Sequence, residues 1–130
     1  MANSTTRAPA AAERGPADPP DIAVMRETVG ILLDDDAVAL APVGDELGKL
    51  TRVVRGYLEL LIPIVERAAE RLERESVNRY CVLACVGEAR GKLRTGPGQR
   101  ADGAITHARR LARVLNALCD HYDKIGGGRP

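Results

Sequence analysis

The fold is decided by residues 99–125, which read QRADGAITHARRLARVLNALCDHYDKI. Ile105, Ala112 and Cys119 form one apolar column at seven-residue spacing. A longer apolar stripe alternates steps of three and four residues, which places it along one side of a helix; its members are Ala101, Ala104, Ala108, Leu111, Leu115, Leu118, Tyr122 and Ile125. Three apolar columns are typical of a helix inside a bundle rather than of a two-stranded coiled coil. We therefore predict one long helix over 99–125, after a turn at 95–98.

Three further helices are predicted ahead of it. Asp21 suits the N-cap of a helix that ends near Leu33, because the acidic run 34–36 is unfavourable at a helix C-terminus. A second helix begins at Pro42 and is kinked near Leu60 by Pro63. Its stripe is Leu47, Leu50, Val54, Tyr57, Leu61, Ile64, Ala68 and Leu72. Ser76 caps a third helix that ends near residue 94. No β pattern appears, so the sequence predicts an all-α antiparallel four-helix bundle.

The chain divides into three parts by composition. Residues 1–20 are rich in Ala and Pro and predict a disordered arm. Residues 21–125 form one bundle domain, and residues 126–130 form a tail. No segment resembles a signal peptide or a membrane span, so we expect a cytoplasmic protein.

The third helix carries the run YCVLACVG at residues 80–87, which contains no charged residue. A helix that is apolar nearly all round is usually buried on most sides, so we predict that this helix is the most buried element. Ala84, Gly87 and Gly91 add a stripe of small residues that would allow another helix to approach closely. The apolar surface exceeds what one short bundle needs, which favours a homodimer.

Three segments carry a resemblance: LLIP at 60–63, RYCVLACVGEAR at 79–90 and HARRLARVLNALCDHY at 107–122. They are similar to a family of small actinobacterial proteins of unknown function from streptomycetes, whose members are often labelled natural product biosynthesis proteins. The similarity covers roughly residues 24–125. In the family an acidic residue often follows the proline of the first segment, where this chain has Ile64. The resemblance implies an association with natural product biosynthesis and no particular reaction or site residue.

Cysteine and histidine spacing does not predict a metal site. Cys81 and Cys85 share a helix face, but the antiparallel neighbour brings no further ligands beside them. His107 and His121 lie about 21 Å apart along one helix and cannot share an ion. Both histidines are expected at boundary or surface positions. We predict no metal and no cofactor.

Glu88 and His107 are the only candidate catalytic pair. Antiparallel packing of the third and fourth helices would place them level, and a carboxylate–imidazole pair can perform acid–base chemistry. No nucleophile or phosphate loop accompanies them, and ion pairs between helices are common. The sequence therefore leans against an enzyme.

Charge is unevenly distributed although the formal net charge is only +1. Residues 18–46 hold eight acids and one Arg, whereas residues 90–113 hold seven bases and one Asp. The candidates for contact with a partner or a polyanion are Arg94, Arg100, Arg109, Arg110 and Arg113. In one interpretation the acidic segment packs against this basic end and neutralises it, which the antiparallel geometry favours. In the other, the basic end contacts nucleic acid.

These observations predict a helical accessory or regulatory protein that acts by contact with a protein partner, whose identity the sequence does not give. The alternative is a nucleic-acid-associated regulator that uses the basic end of the third and fourth helices.

Overall fold

The computed structural model describes residues 19–34 and 42–125, and this part of the chain folds into four α-helices without a strand. They are α1 (Ile22–Leu33), α2 (Gly44–Glu70), α3 (Val77–Leu93) and α4 (Gly103–Lys124). The predicted all-α bundle is confirmed. Most of the predicted arm and the whole tail lie outside the described residues.

Helix starts follow the predicted capping chemistry in two of four cases. Asp21 accepts a hydrogen bond from the backbone N–H of Val24 at 3.2 Å, and Ser76 Oγ accepts one from the N–H of Arg79 at 3.0 Å. Each contact satisfies a backbone donor that the first helical turn leaves without a partner. The predicted starts of α1 and α3 are therefore confirmed.

The bounds of α2 and α4 differ from the prediction. α2 begins at Gly44, which has a φ of +59°, and it ends at Glu70 before the last residue of the predicted stripe. It runs unbroken through Pro63, and the bend predicted near Leu60 stays a prediction. α4 begins at Gly103, because residues 99–102 form bends and turns after Gly98, whose φ of +76° suits glycine.

The core is centred on α4, which packs against all three other helices, whereas α1 and α3 do not touch. Side chains of α4 provide much of its volume, with Leu111, Leu115 and Leu118 fully buried. α2 adds Val54, Leu58, Leu61 and Val65, and α1 adds Met25 and Leu32. The prediction that α3 is the most buried element is wrong.

α3 is exposed on one side because it contacts only α2 and α4. Val82 and Val86 are buried in the core, but Tyr80, Ala84 and Gly87 are exposed. Burial within one chain therefore does not explain why residues 80–87 lack charged side chains. An exposed helix face normally carries polar side chains.

Arginines from neighbouring helices bind the C-terminal ends of α1, α2 and α3. Arg109 Nε donates to the carbonyl of Leu32 at 2.9 Å, and Arg55 donates to the carbonyl of Leu93. Arg79 Nη1 donates to the carbonyls of residues 70 and 72 at 3.3 and 3.4 Å. These carbonyls lack intrahelical partners and carry the negative end of the helix dipole, so a cation stabilises them. Each contact ties one helix end to its neighbour.

Ion pairs made by Arg90 and Arg26 also join helices. Arg90 of α3 makes a two-pronged contact with the carboxylate of Glu66 on α2, at 2.7 and 3.0 Å. These hydrogen bonds lower the pKa of the Glu66 carboxyl. Arg26 of α1 reaches Asp120 and Asp123 of α4, at 3.0 and 2.9 Å. Exposed pairs of this kind contribute about 0–1 kcal/mol each, so they fix helix orientation more than they stabilise the fold.

Candidate functional site at the basic end of the bundle

The four helices place two starts and two ends at one end of the bundle. The contact from Arg109 to Leu32 puts the end of α1 beside the first half of α4. The start of α2 and the segment after α3 meet there as well, because they line one cleft together with α4. This is the arrangement that the antiparallel prediction required.

The cleft has a volume of about 580 Å³. One wall is the first half of α2, and the other is the α3–α4 loop with the start of α4. Its lining residues are Gly44, Leu47, Gly48, Thr51, Arg52, Arg55, Thr95, Gly96, Pro97, Ala104 and His107. Clefts of about 300–1,000 Å³ are the usual size of small-molecule sites.

His107 is buried at the wall of this cleft, with only 7% of its surface exposed. Burial lowers the pKa of its imidazole, and the charges of Arg55 and Arg110 lower it further. The ring therefore favours the neutral form, with one N–H donor and one acceptor nitrogen. Neither nitrogen has a hydrogen-bond partner among the residues the structure describes. The expected boundary or surface position was wrong for His107 and correct for His121, which is half-buried.

Gly103 shapes the loop that forms the cleft rim. A Cβ at this position would lie 2.4 Å from the carbonyl oxygen of Pro97, which is closer than van der Waals contact allows. The close approach lets the α3–α4 loop fold back over the start of α4. A second, smaller depression on this loop is lined in part by Arg100 and Arg110.

The predicted contact arginines do not form one patch. Arg109 is half-buried and its Nε donates a hydrogen bond at the end of α1. Arg100 is exposed, and its Nε lies 3.6 Å from Oδ1 of Asp102. Arg94, Arg110 and Arg113 are exposed. The structure brings Arg100 and Arg110 together at the smaller depression and directs Arg109 elsewhere.

The end of α1, where the acidic run 34–36 begins, lies against Arg109 on the side that the sequence predicted, and the contact is made by the backbone carbonyl of Leu32. Asp35 and Asp36 lie outside the described residues, and no ion pair joins Glu46 to Arg94, Arg100 or Arg109. Full neutralisation of the basic end stays a prediction.

Glu88 and His107 do not form the predicted pair. Glu88 is exposed, and no hydrogen bond or ion pair joins it to His107. Arg52 and Arg55 line the same cleft as His107, but they were not among the predicted contact residues because the charge at residues 90–113 is denser. Their spacing from Gly48 and Thr51 places all four on one face of α2, which was the available signal.

The cysteines do not form a metal site. Cys81 is exposed, while Cys85 and Cys119 are buried. Burial raises the pKa of both buried thiols to about 11. Within residues 19–34 and 42–125, no three Cys, His, Asp or Glu side chains are grouped to hold an ion. Among the helices described, none has the length and apolar character needed to cross a membrane.

The fold and the cleft define a small four-helix bundle protein with a ligand-sized cleft at its basic end. Residues 23–127 match the model of a family of unknown function (DUF6415), and the chain belongs to this family. The match covers nearly the same span as the resemblance carried by the sequence segments. Searches of curated proteins and of solved structures found no match.

Proposed function

We propose that the protein is a cytoplasmic accessory or regulatory factor that acts by protein–protein contact. The contact surface is the outward face of α3, which we define as Val77, Tyr80, Cys81, Ala84, Gly87 and Glu88. The observation that carries the proposal is the composition of this face, because all six residues are exposed and only one is charged.

Exposure on this face is high for its large side chains. Tyr80 is 76% exposed and Val77 is 75% exposed, one turn apart on the same side of α3. Single exposed apolar residues are ordinary, whereas a contiguous set marks an interaction surface. Tyrosine is also enriched in protein interfaces. A depression beside Tyr80, lined also by Leu83, Ala84 and the two arginines Arg74 and Arg79, adjoins this face.

The partner that fits this face best is a second copy of the chain. The large side chains, Val77 and Tyr80, lie in the first half of α3, and the small residues Ala84, Gly87 and Gly91 follow. An antiparallel contact about a two-fold axis at Ala84 sets the large half of each helix against the small half of the other. Such a contact uses the same patch on both subunits, as two-fold dimers do.

Contact with nucleic acid has less support from the same structure. Arg109 is held by the end of α1 and Arg100 lies beside Asp102, so two of the five candidate arginines have partners within the chain. The proposed association with natural product biosynthesis rests on the sequence resemblance alone. It names a process in which the protein would act, and it names no reaction.

Sedimentation velocity over a range of protein concentrations tests the proposal. We expect the wild type to dimerise as concentration rises, and Val77→Glu to remain monomeric because it buries a charge in the contact. Val43→Glu is the matched control, since Val43 is also 75% exposed but lies at the start of α2. A wild type that stays monomeric throughout, or equal effects of the two variants, would contradict the dimer contact.

A further inference from the structure

We infer that the cleft between α2 and α4 binds one small organic anion. Its acid group would lie at Arg52, Arg55 and His107, and its apolar body would lie against Leu47 and Ala104. This inference is independent of the α3 contact, because the two surfaces share no residue.

The buried imidazole of His107 is the observation that points to a ligand. More than nine-tenths of its surface is buried, it lines the cleft, and no residue that the structure describes offers it a hydrogen bond. Buried polar side chains almost always have a hydrogen-bond partner, so one without any needs an explanation. A ligand acid group in the cleft supplies the missing partner.

Charge at the cleft selects the sign of the ligand. Arg52 and Arg55 belong to the lining, and none of the lining residues that the structure describes is acidic. Arg55 uses part of its guanidinium to hold the carbonyl of Leu93, which fixes the side chain in place. A guanidinium has five N–H donors, so this contact leaves donors available to an anion.

The size and the lining of the cleft select the class of ligand. A cleft of about 580 Å³ has the size of a small-molecule site and is too small to enclose a nucleic acid duplex or a folded domain. Leu47, Pro97 and Ala104 provide apolar surface that a bare inorganic anion would leave uncovered. An acid with a hydrocarbon body uses both features, whether its acid group is a carboxylate or a phosphate ester.

Titration followed by NMR of the His107 imidazole tests this inference on the full chain. The probes are octanoate and octyl phosphate, which distinguish the two acid groups, and octanol and inorganic phosphate are the comparison compounds. We expect at least one of the two acids to shift the His107 signals saturably at millimolar concentration. Octanol should bind more weakly because it has no charge, and inorganic phosphate because it has no apolar body.

Arg52→Gln should weaken binding of the acid by about tenfold, since a charge-assisted hydrogen bond is lost. Arg52 is exposed, so this variant does not threaten the fold. Arg113→Gln is the matched control, because it removes an exposed arginine outside the cleft and should leave affinity unchanged.

Three results would overturn the inference. The first is that neither acid shifts the His107 signals. The second is that octanol or inorganic phosphate binds as tightly as the acids, which would indicate nonspecific apolar contact or an adventitious ion. The third is that Arg52→Gln and Arg113→Gln have the same affinity as the wild type.

Discussion

Tyr80 and Val82 lie two positions apart on α3, yet the side chain of Tyr80 is 76% exposed and that of Val82 is 1% exposed. At 3.6 residues per turn, two positions correspond to opposite sides of a helix. Val82 faces the core formed with α2 and α4, and Tyr80 faces outward. α3 therefore presents apolar residues on two sides, and the chain itself covers one of them.

Replacement of Arg109 should loosen α1. In Arg109→Gln the carbonyl of Leu32 loses its charged donor, and we expect the free energy of unfolding to fall by about 1 kcal/mol. Hydrogen exchange should become faster in the last turn of α1. The control is Arg113→Gln on the same helix, and equal exchange in the two variants would show that the contact does not anchor α1.

Substitution at Gly103 should disturb the cleft rim. The Cβ of Gly103→Ala would meet the carbonyl oxygen of Pro97 at 2.4 Å, so the loop has to move. We expect a loss of stability of about 1–3 kcal/mol in denaturant unfolding. Gly56→Ala is the control: Gly56 lies within α2 with open space around it, and alanine should stabilise the helix there. Equal stability of Gly103→Ala and the wild type would contradict the close approach.

The three cysteines should differ in reactivity. Cys81 is exposed, whereas burial shields Cys85 and Cys119 and raises the pKa of both thiols to about 11. Because the thiolate is the reactive form, a thiol reagent at mildly alkaline pH should label Cys81 alone in dilute native protein. All three should react after unfolding. Rapid labelling of Cys85 in the native state would contradict the packing of α3 against the core.

Stability should fall as the pH drops from about 7 to about 5.5, because the folded state disfavours protonated His107. Burial lowers the pKa of its imidazole below 6.5, and Arg55 and Arg110 act in the same direction. A histidine with a lowered folded-state pKa takes up its proton more readily when unfolded, so protonation stabilises the unfolded chain. The contribution of neutral His107 to the free energy of unfolding is complete at pH values above the pKa that the imidazole has in the unfolded chain. This contribution is lost as the pH falls below that pKa.

Denaturant unfolding of the wild type and His107→Gln at the two pH values measures this effect. The variant should lose less stability on acidification than the wild type. His121→Gln is a comparison variant, because burial also lowers the pKa of His121. An identical pH dependence in His107→Gln and the wild type would contradict the assignment.

Periodicity and capping residues were sufficient to predict the number, order and approximate bounds of the helices. The caps at Asp21 and Ser76 were correct because capping depends on local chemistry. The start of α4 was predicted at residue 99, because Ala101 fits the apolar pattern of a helix. The helix begins at Gly103 instead, because the loop after Gly98 continues through residue 102.

Burial of particular side chains was harder to predict from sequence. The composition of an uncharged run such as residues 80–87 does not show whether its outer side packs within the same bundle or against a second protein molecule. Which side chains of α3 are buried depends on its position beside only α2 and α4, and that position depends on the packing of the whole bundle. The cleft was missed for a related reason, because Arg52, Arg55 and His107 come together only when α2 and α4 pack side by side.

Disulfide crosslinking at position 84 tests the dimer contact most directly. A two-fold axis at Ala84 brings the same residue of both copies together, within the separation of about 4.4–6.8 Å between Cα atoms that a disulfide spans. In a Cys81→Ser background, Ala84→Cys should form a covalent dimer under mild oxidation, whereas Ala23→Cys, an exposed position on α1, should not. Equal crosslinking at positions 84 and 23, or none at position 84, would contradict the proposed contact through α3.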